Sequence, residues 1–408
     1  MKHTHFINHF LWLATLSIFI GCTREPEPSP DDSIVGTIMS FRLDPDSTSY
    51  FRSYRSSPEM GGVSELFYGS QEGYSDIYSL VEITPVEADF FLDTLYSADS
   101  LIMSVFSINA VYFTLNLVTS EDTITPPELF YFSSDGDTNL FSQEESSFFT
   151  FNIDGNLQTT SSGAVTIVTD TLDNSSFQFD VTDIFQEFIL DTNRLNSFTY
   201  KIIGGERMDS LVAFNAPKMD VHYFRISENT DSTWTDTLTT TFSTIEKLTI
   251  VNPGDWVENE GRFSIGRAKG LKSILKFNLD TLNTFSDSIV FKDADLYLQR
   301  DGDEFENAGY KVLSYPLRDS VDMNLFSVEV MDTTSLEFIG ASSAFTDTTD
   351  NYVILNLRNF IAYLHLGQLS RYELQLSSSA ENNPFITQTF INDDTFHPYI
   401  KVRYVVTK

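Results

Sequence analysis

Arg262, Arg267, Lys269, Lys272 and Lys276 fall within fifteen residues of one another, shortly after Trp256, in a chain that otherwise carries far more acid than base. Guanidinium groups pair bidentately with carboxylates, and an aromatic face packs on the C–H surface of a sugar ring. A polyuronate such as alginate presents both groups, so Arg262, Arg267, Lys269, Lys276 and Trp256 are the expected ligand-binding residues. The same run also reads as a solvated basic edge that hinders sheet-to-sheet pairing. Other reactive groups are scattered. Of six histidines, His3, His5 and His9 sit in the N-terminal stretch, and His222, His365 and His397 share no metal-ligand spacing. Neither a Gly-rich phosphate loop nor a Gly-x-Ser-x-Gly elbow occurs, and no carboxylate pair stands out among 58 acids. Asp135-Gly136-Asp137-Thr138-Asn139 has the start of a calcium loop, yet Leu140 and Ser146 stand where glycine and glutamate belong, so it reads as an acidic turn. The sequence predicts no enzyme, no cofactor and no metal centre.

The single cysteine, Cys22, follows Lys2 and an apolar run from Phe10 to Ile20 that is too short to span a bilayer. Residues 1–21 are expected to be a signal peptide. Phe19-Ile20-Gly21-Cys22 resembles the lipobox of bacterial lipoproteins, which implies lipidation of Cys22 and a membrane partner held through the lipid. Residues 22–33 alternate proline with acid, cannot pack, and form a tether. This acidic run resembles the surface-export signal of Bacteroidota lipoproteins, and it also serves as a plain spacer. The expected place is the outer membrane, lipid-anchored and facing outward.

Charge narrows the partners. Without residues 1–21 the chain carries 24 Lys and Arg against 58 Asp and Glu, which repels phosphate backbones and excludes nucleic acid. Residues 22–241 have a net charge of −26 and residues 242–408 only −8, so an anionic ligand docks more readily on the second half.

Short runs alternating at period two, such as Val111–Leu117, Ser197–Ile203 and Ser273–Leu279, predict an all-β fold of sandwiches. In the last run Leu275, Phe277 and Leu279 face the core, and Ile274, Lys276 and Asn278 face outward. The runs repeat in order. Phe179–Phe188 aligns with Leu355–Leu364, Pro217–Phe224 with Pro398–Val405, Gly69 and Gly73 with Gly266 and Gly270, and Asn109–Tyr112 with Asp293–Leu296. Two tandem jelly-roll-like β-sandwiches are expected, at residues 34–226 and 242–408, joined by a polar linker at 227–241 in which Trp234 packs on a neighbouring domain. Each carries one short helix. Thr182 caps an amide and Ile184, Phe185, Phe188 and Ile189 form an apolar face, answered by Phe360, Ile361 and Leu364.

The Val181-Thr182 turn into Ile184–Phe188, the final Pro-x-Met/Ile-x-Val-x-Tyr strand, and the strands Ser273–Phe277 and Ala294–Leu298 resemble DNRLRE-type domains. That resemblance covers residues 60–224 and 245–405. It implies jelly-roll-like sandwiches related to a carbohydrate-binding module family with alginate-binding members. The expected function is therefore a non-catalytic surface lipoprotein that binds an anionic polysaccharide through the second sandwich. The alternatives are a structural or adhesive lipoprotein contacting surface proteins and, more distantly, a cryptic polysaccharide-degrading enzyme.

Overall fold

The computed structural model describes residues 37–83, 95–96, 103–118, 125–132, 141–144, 146–149, 151, 157–158, 165–169, 175–190, 198–205, 210–228, 232–257, 259–285, 288–302, 310–318, 336–346, 351–379 and 383–406. Residues 1–36, with Cys22 and the expected tether, and the acidic turn expected at Asp135–Leu140 lie outside them, as do the side chains of Phe188 and Ile189. The fold is all-β, with curled sheets facing each other in sandwiches. No helix among the described residues is long and apolar enough to cross a membrane.

Alternation decides the walls. The strand Tyr399–Val406 buries Ile400, Val402 and Val405, and Ile289–Gln299 buries Phe291, Ala294, Leu296 and Leu298. The phase change after Phe291 is a bulge between Phe291 and Asp293, where one extra residue turns the following side chains over. These two strands belong to a four-stranded sheet in the order Ile38–Leu43, Tyr399–Val406, Ile289–Gln299, Tyr352–Asn356. Opposite it lie Ser342–Phe345, Lys311–Pro316, Glu373–Ser379, Leu271–Lys276 and Tyr50–Arg55, with Arg262–Gly266 and Thr387–Ile391 beside them. Leu275, Phe277 and Leu279 enter the core between the walls together with Phe263, Phe360 and Phe390.

A second core, built on Phe113, Phe179, Phe185, Tyr200 and Phe214, lies inside a twelve-stranded sheet. That sheet folds over into two walls because one strand, Thr233–Val251, serves both of them. Its first half pairs with Lys218–Glu228 and its second half with Ile77–Ile83, with a bulge between Thr244 and Glu246.

The two helices close their sandwiches alike. In Thr182–Leu190 the amide of Thr182 donates to Asp180 Oδ1 at 3.0 Å, and in Arg358–His365 the amide of Arg358 donates to Asn356 Oδ1 at 3.0 Å. The Thr182 hydroxyl accepts a hydrogen bond from the amide of Val111 at 2.9 Å, so the amide it satisfies belongs to the neighbouring strand and not to its own helix. Phe185 is buried in one sandwich, and Phe360, Ile361 and Leu364 in the other. The matching bonds Val181 N–Val111 O and Leu357 N–Ala294 O set Val111 against Ala294, one residue from the alignment with Asp295 that sequence alone suggests.

Two expected boundaries move. The polar linker expected at 227–241 is a hairpin: Lys218–Glu228 turns back into Thr233–Val251, with Val221 opposite Thr240 and Ser227 opposite Trp234. Its Thr- and Ser-rich face points to solvent, which is why it reads as a linker, and Trp234 stays 37% exposed. Residues 37–56, expected in the first sandwich, instead complete the second. Ile38 lies opposite Val405, Leu43 opposite Ile400, and Ser53 opposite Ser273.

The sandwiches touch through a third apolar cluster in which Phe385 and Ala268 meet Phe67, Leu80, Leu248 and Ile250. The Phe385 ring packs edge-on against Phe67 and Tyr74, at 5.1 and 5.2 Å between centroids, and the Tyr74 hydroxyl donates to the Phe385 carbonyl at 2.9 Å.

Candidate ligand-binding cleft

The basic cluster does not converge on one surface. Arg262 is held between Asp301 (2.7 Å) and Asp393 (2.5 Å), and these two bonds raise its already high pKa. Lys269 donates to the carbonyls of Gly73 and Pro253 across the junction between the sandwiches and lies over the Tyr74 ring, 4.2 Å from its centroid. Burial, and then the nearby charge of Arg55, push its ammonium below the ordinary lysine range. Lys276 sits 3.7 Å from Glu373 and over Tyr50. Trp256 is half-buried on the stretch leading to Arg262–Gly266. Arg262, Lys269 and Lys276 thus hold structure in three separate places, because strand pairing splits a run that is contiguous in sequence.

Arg267 has a different setting. Its Nε donates to the carbonyl of Glu59, and with Lys272 it lines a cleft of about 320 Å³ on the outer face of the second sandwich. Lys272 pairs with the exposed carboxylate of Glu59 at 2.7 Å. The floor comes from two neighbouring strands in fixed register. Leu313 lies opposite Ser377 and Tyr315 opposite Gln375, and both strands turn Val312, Leu374 and Leu376 inward. Gln375 is buried and donates to the Tyr54 hydroxyl at 2.5 Å, which fixes its amide. Phe338 closes the far end, edge-on to Tyr315 at 6.0 Å between centroids, with 80% of its surface in solvent. Ser57 Oγ is buried in the lining and has no hydrogen-bond partner among the described residues.

A cationic end, a floor of hydroxyl and amide groups, and an exposed aromatic wall are therefore arranged along one groove. Such a groove is complementary to an extended polar chain that has apolar faces. The outer faces are covered differently at the equivalent positions: Leu80 belongs to an apolar cluster with Phe141, Phe148 and Phe151, and Ile274, expected to face outward, is buried with Tyr54 and Leu317. Sequence reasoning reached Arg267 and Lys272 but missed Tyr315, Phe338 and Gln375. The Leu313–Tyr315 alternation was visible, but the register that brings Gln375 beside it was not.

Among the described residues no group of three or more His, Cys, Asp or Glu is placed to hold a metal ion. His222 is bonded to Thr239 (2.9 Å), His365 to the Leu282 carbonyl (3.3 Å) and His397 to Asn392 (3.0 Å).

No protein-family model and no curated protein matches the sequence. Among solved structures, the chain is similar to the C-terminal domain of the Streptococcus agalactiae AgI/II polypeptide BspA, at 8% identity and a TM-score of 0.14, over 84% of this chain and 91% of that one. A superposition at that level carries no argument about fold or function.

Proposed function

We propose that this chain is a non-catalytic lipoprotein of the outer cell surface, and that its second sandwich binds a polysaccharide chain in the cleft between Arg267 and Phe338. The observation that carries the reading is the groove itself, with two cations at one end and two aromatic rings at the other. A uronate carboxylate entering at Lys272 competes with exposed Glu59 for the ammonium, sugar hydroxyls meet Ser377, and a ring face packs on Phe338 or Tyr315. Exposed charges are screened over about 8 Å at physiological ionic strength, so this binding weakens with salt. Weak single-site affinity suffices when a polymer offers many sites to many tethered copies. The test is a glycan array probed with the soluble chain from residue 23 onward. Acidic polysaccharides are expected to head the ranking, and an array on which no glycan binds contradicts the proposal.

A second reading has its own support. Phe338, Ile339 and Phe345 are 80%, 52% and 70% exposed beside the edge strand Ser342–Phe345. An apolar sheet edge of this kind accepts a strand from another protein, which favours an adhesive role.

A further inference from the structure

The two sandwiches are completed by equivalent strands that reach them by different routes. In the first, Thr249 lies opposite Ser79, and the two hydroxyls are 3.0 Å apart. The amide of Phe67 donates to Thr249 Oγ1 at 3.1 Å, and Ser79 Oγ donates to the Phe67 carbonyl at 2.8 Å. In the second, Ser53 lies opposite Ser273, with hydroxyls 3.2 Å apart. The amide of Ser264 donates to Ser53 Oγ at 2.6 Å, and Ser273 Oγ donates to the Ser264 carbonyl at 2.7 Å. In both, a strand is wedged between two others that meet only at a glycine, Gly69 with Ile77 and Gly266 with Leu271. The outer strands correspond too, Phe242 opposite Met219 and Leu43 opposite Ile400.

The first slot is filled locally, by the strand that follows Lys218–Glu228 across a short turn. The second takes the segment that precedes the first sandwich. Each repeat thus fills its slot with the arm that leads into the other repeat. Residues 37–56 bring both hydrogen bonding and apolar surface. Phe51 packs on Phe263 and Phe277 at 6.0 and 5.1 Å, Phe41 packs on Phe285 and Tyr404 at 5.3 and 5.7 Å, and the amide of Ser56 donates to Gly270 O at 2.8 Å. Contacts this distant in sequence form after local ones, so the slot stays open while the rest of the second sandwich assembles. An open slot presents unpaired strand edges at Leu271–Lys276 and Tyr399–Val406.

We infer that this slot is a docking surface for residues 37–56 of a second copy of the chain, and that copies join by exchanging these arms. The contacts of residues 37–56 with the slot are the same whichever copy supplies them, and exchange rearranges only the connection between the sandwiches, in which Met60 and Val63 are packed. A Ser40→Cys chain and an Arg403→Cys chain, both carrying Cys22→Ser, place their cysteines opposite each other only when the arm of one lies in the slot of the other. A single chain carrying both substitutions reports the closed form, and the pair Met39→Cys and Tyr404→Cys supplies the alternate pairing geometry. After refolding together, the two single-cysteine chains are expected to yield a disulfide-linked heterodimer whose fraction rises with protein concentration. If the doubly substituted chain closes on itself while the mixture stays monomeric at every concentration, in both cysteine pairs, the inference is overturned.

Discussion

Ser53 and Ser273, 220 residues apart in sequence, face each other through hydroxyls 3.2 Å apart, in the relationship that Thr249 and Ser79 hold in the other sandwich. The Ser53 hydroxyl is the acceptor for a buried amide, that of Ser264. Replacing Ser53 by alanine strands that amide, and a buried unsatisfied donor costs about 1–3 kcal/mol. Urea unfolding of Ser53→Ala should show a loss in that range, and Thr249→Ala should cost less, because the Phe67 amide keeps Ser79 Oγ as a second acceptor at 3.1 Å. A change near zero in both would mean that the hydroxyl clasp is not structural.

The arm also sets what can fold alone. Residues 242–408 without residues 37–56 leave the edges of Leu271–Lys276 and Tyr399–Val406 unpaired, and this fragment is expected to aggregate. Because Ile38 lies opposite Val405, a short turn placed after residue 406 can lead straight into residues 37–56. The fragment extended in this way should be soluble and unfold cooperatively, as judged by circular dichroism. A well-folded fragment lacking the arm would contradict the assignment.

The helix of the second sandwich should be costly to hollow out. Phe360 is fully buried, so Phe360→Ala is expected to lose about 3–5 kcal/mol, whereas exposed Phe338→Ala should stay within about 0.5 kcal/mol. Chemical denaturation of the two variants separates these outcomes.

Acid should loosen two turns. Asp46 accepts hydrogen bonds from Asn278 (2.7 Å) and from the amide of Thr48 (2.8 Å), which hold its carboxyl well below the usual carboxylate range. Asp393 is held low in the same way by Thr395 and then Arg262. A carboxylate whose folded-state pKa is depressed contributes stability above its unfolded value, near 3.8 here, and loses it as pH falls through the folded value. Thermal melts below about pH 4 should therefore drop less steeply for Asp46→Asn and Asp393→Asn than for the parent. Parallel slopes in all three would remove these carboxylates from the acid response.

Much of the fold is legible in the sequence wherever side chains alternate against a core. The inward set Leu275, Phe277 and Leu279, the helix contacts of Phe185 and Phe360, and the order of the repeated strands follow from period alone. The alignment of Asn109–Tyr112 fails by one residue because it matches Ala110 to Ala294 by residue type; both strands carry the same bulge, at Asn109 and at Lys292, and counting from it sets Val111 against Ala294. The hairpin at 233–243 reads as a linker because its solvent face is lined by Thr and Ser, while only Leu238 and Phe242 on the other face pack on the core. The cleft was legible only at Arg267 and Lys272. Its aromatic wall and amide floor come from strands joined by register, which no local pattern encodes.

Affinity electrophoresis of the soluble chain in gels containing alginate tests the central claim most directly. The parent should be retarded, the retardation should fade with added salt, and Tyr315→Ala/Phe338→Ala and Lys272→Glu should each run close to the no-glycan position while unfolding at the parent midpoint. Equal retardation of the parent and both folded variants would place the glycan elsewhere and contradict the account.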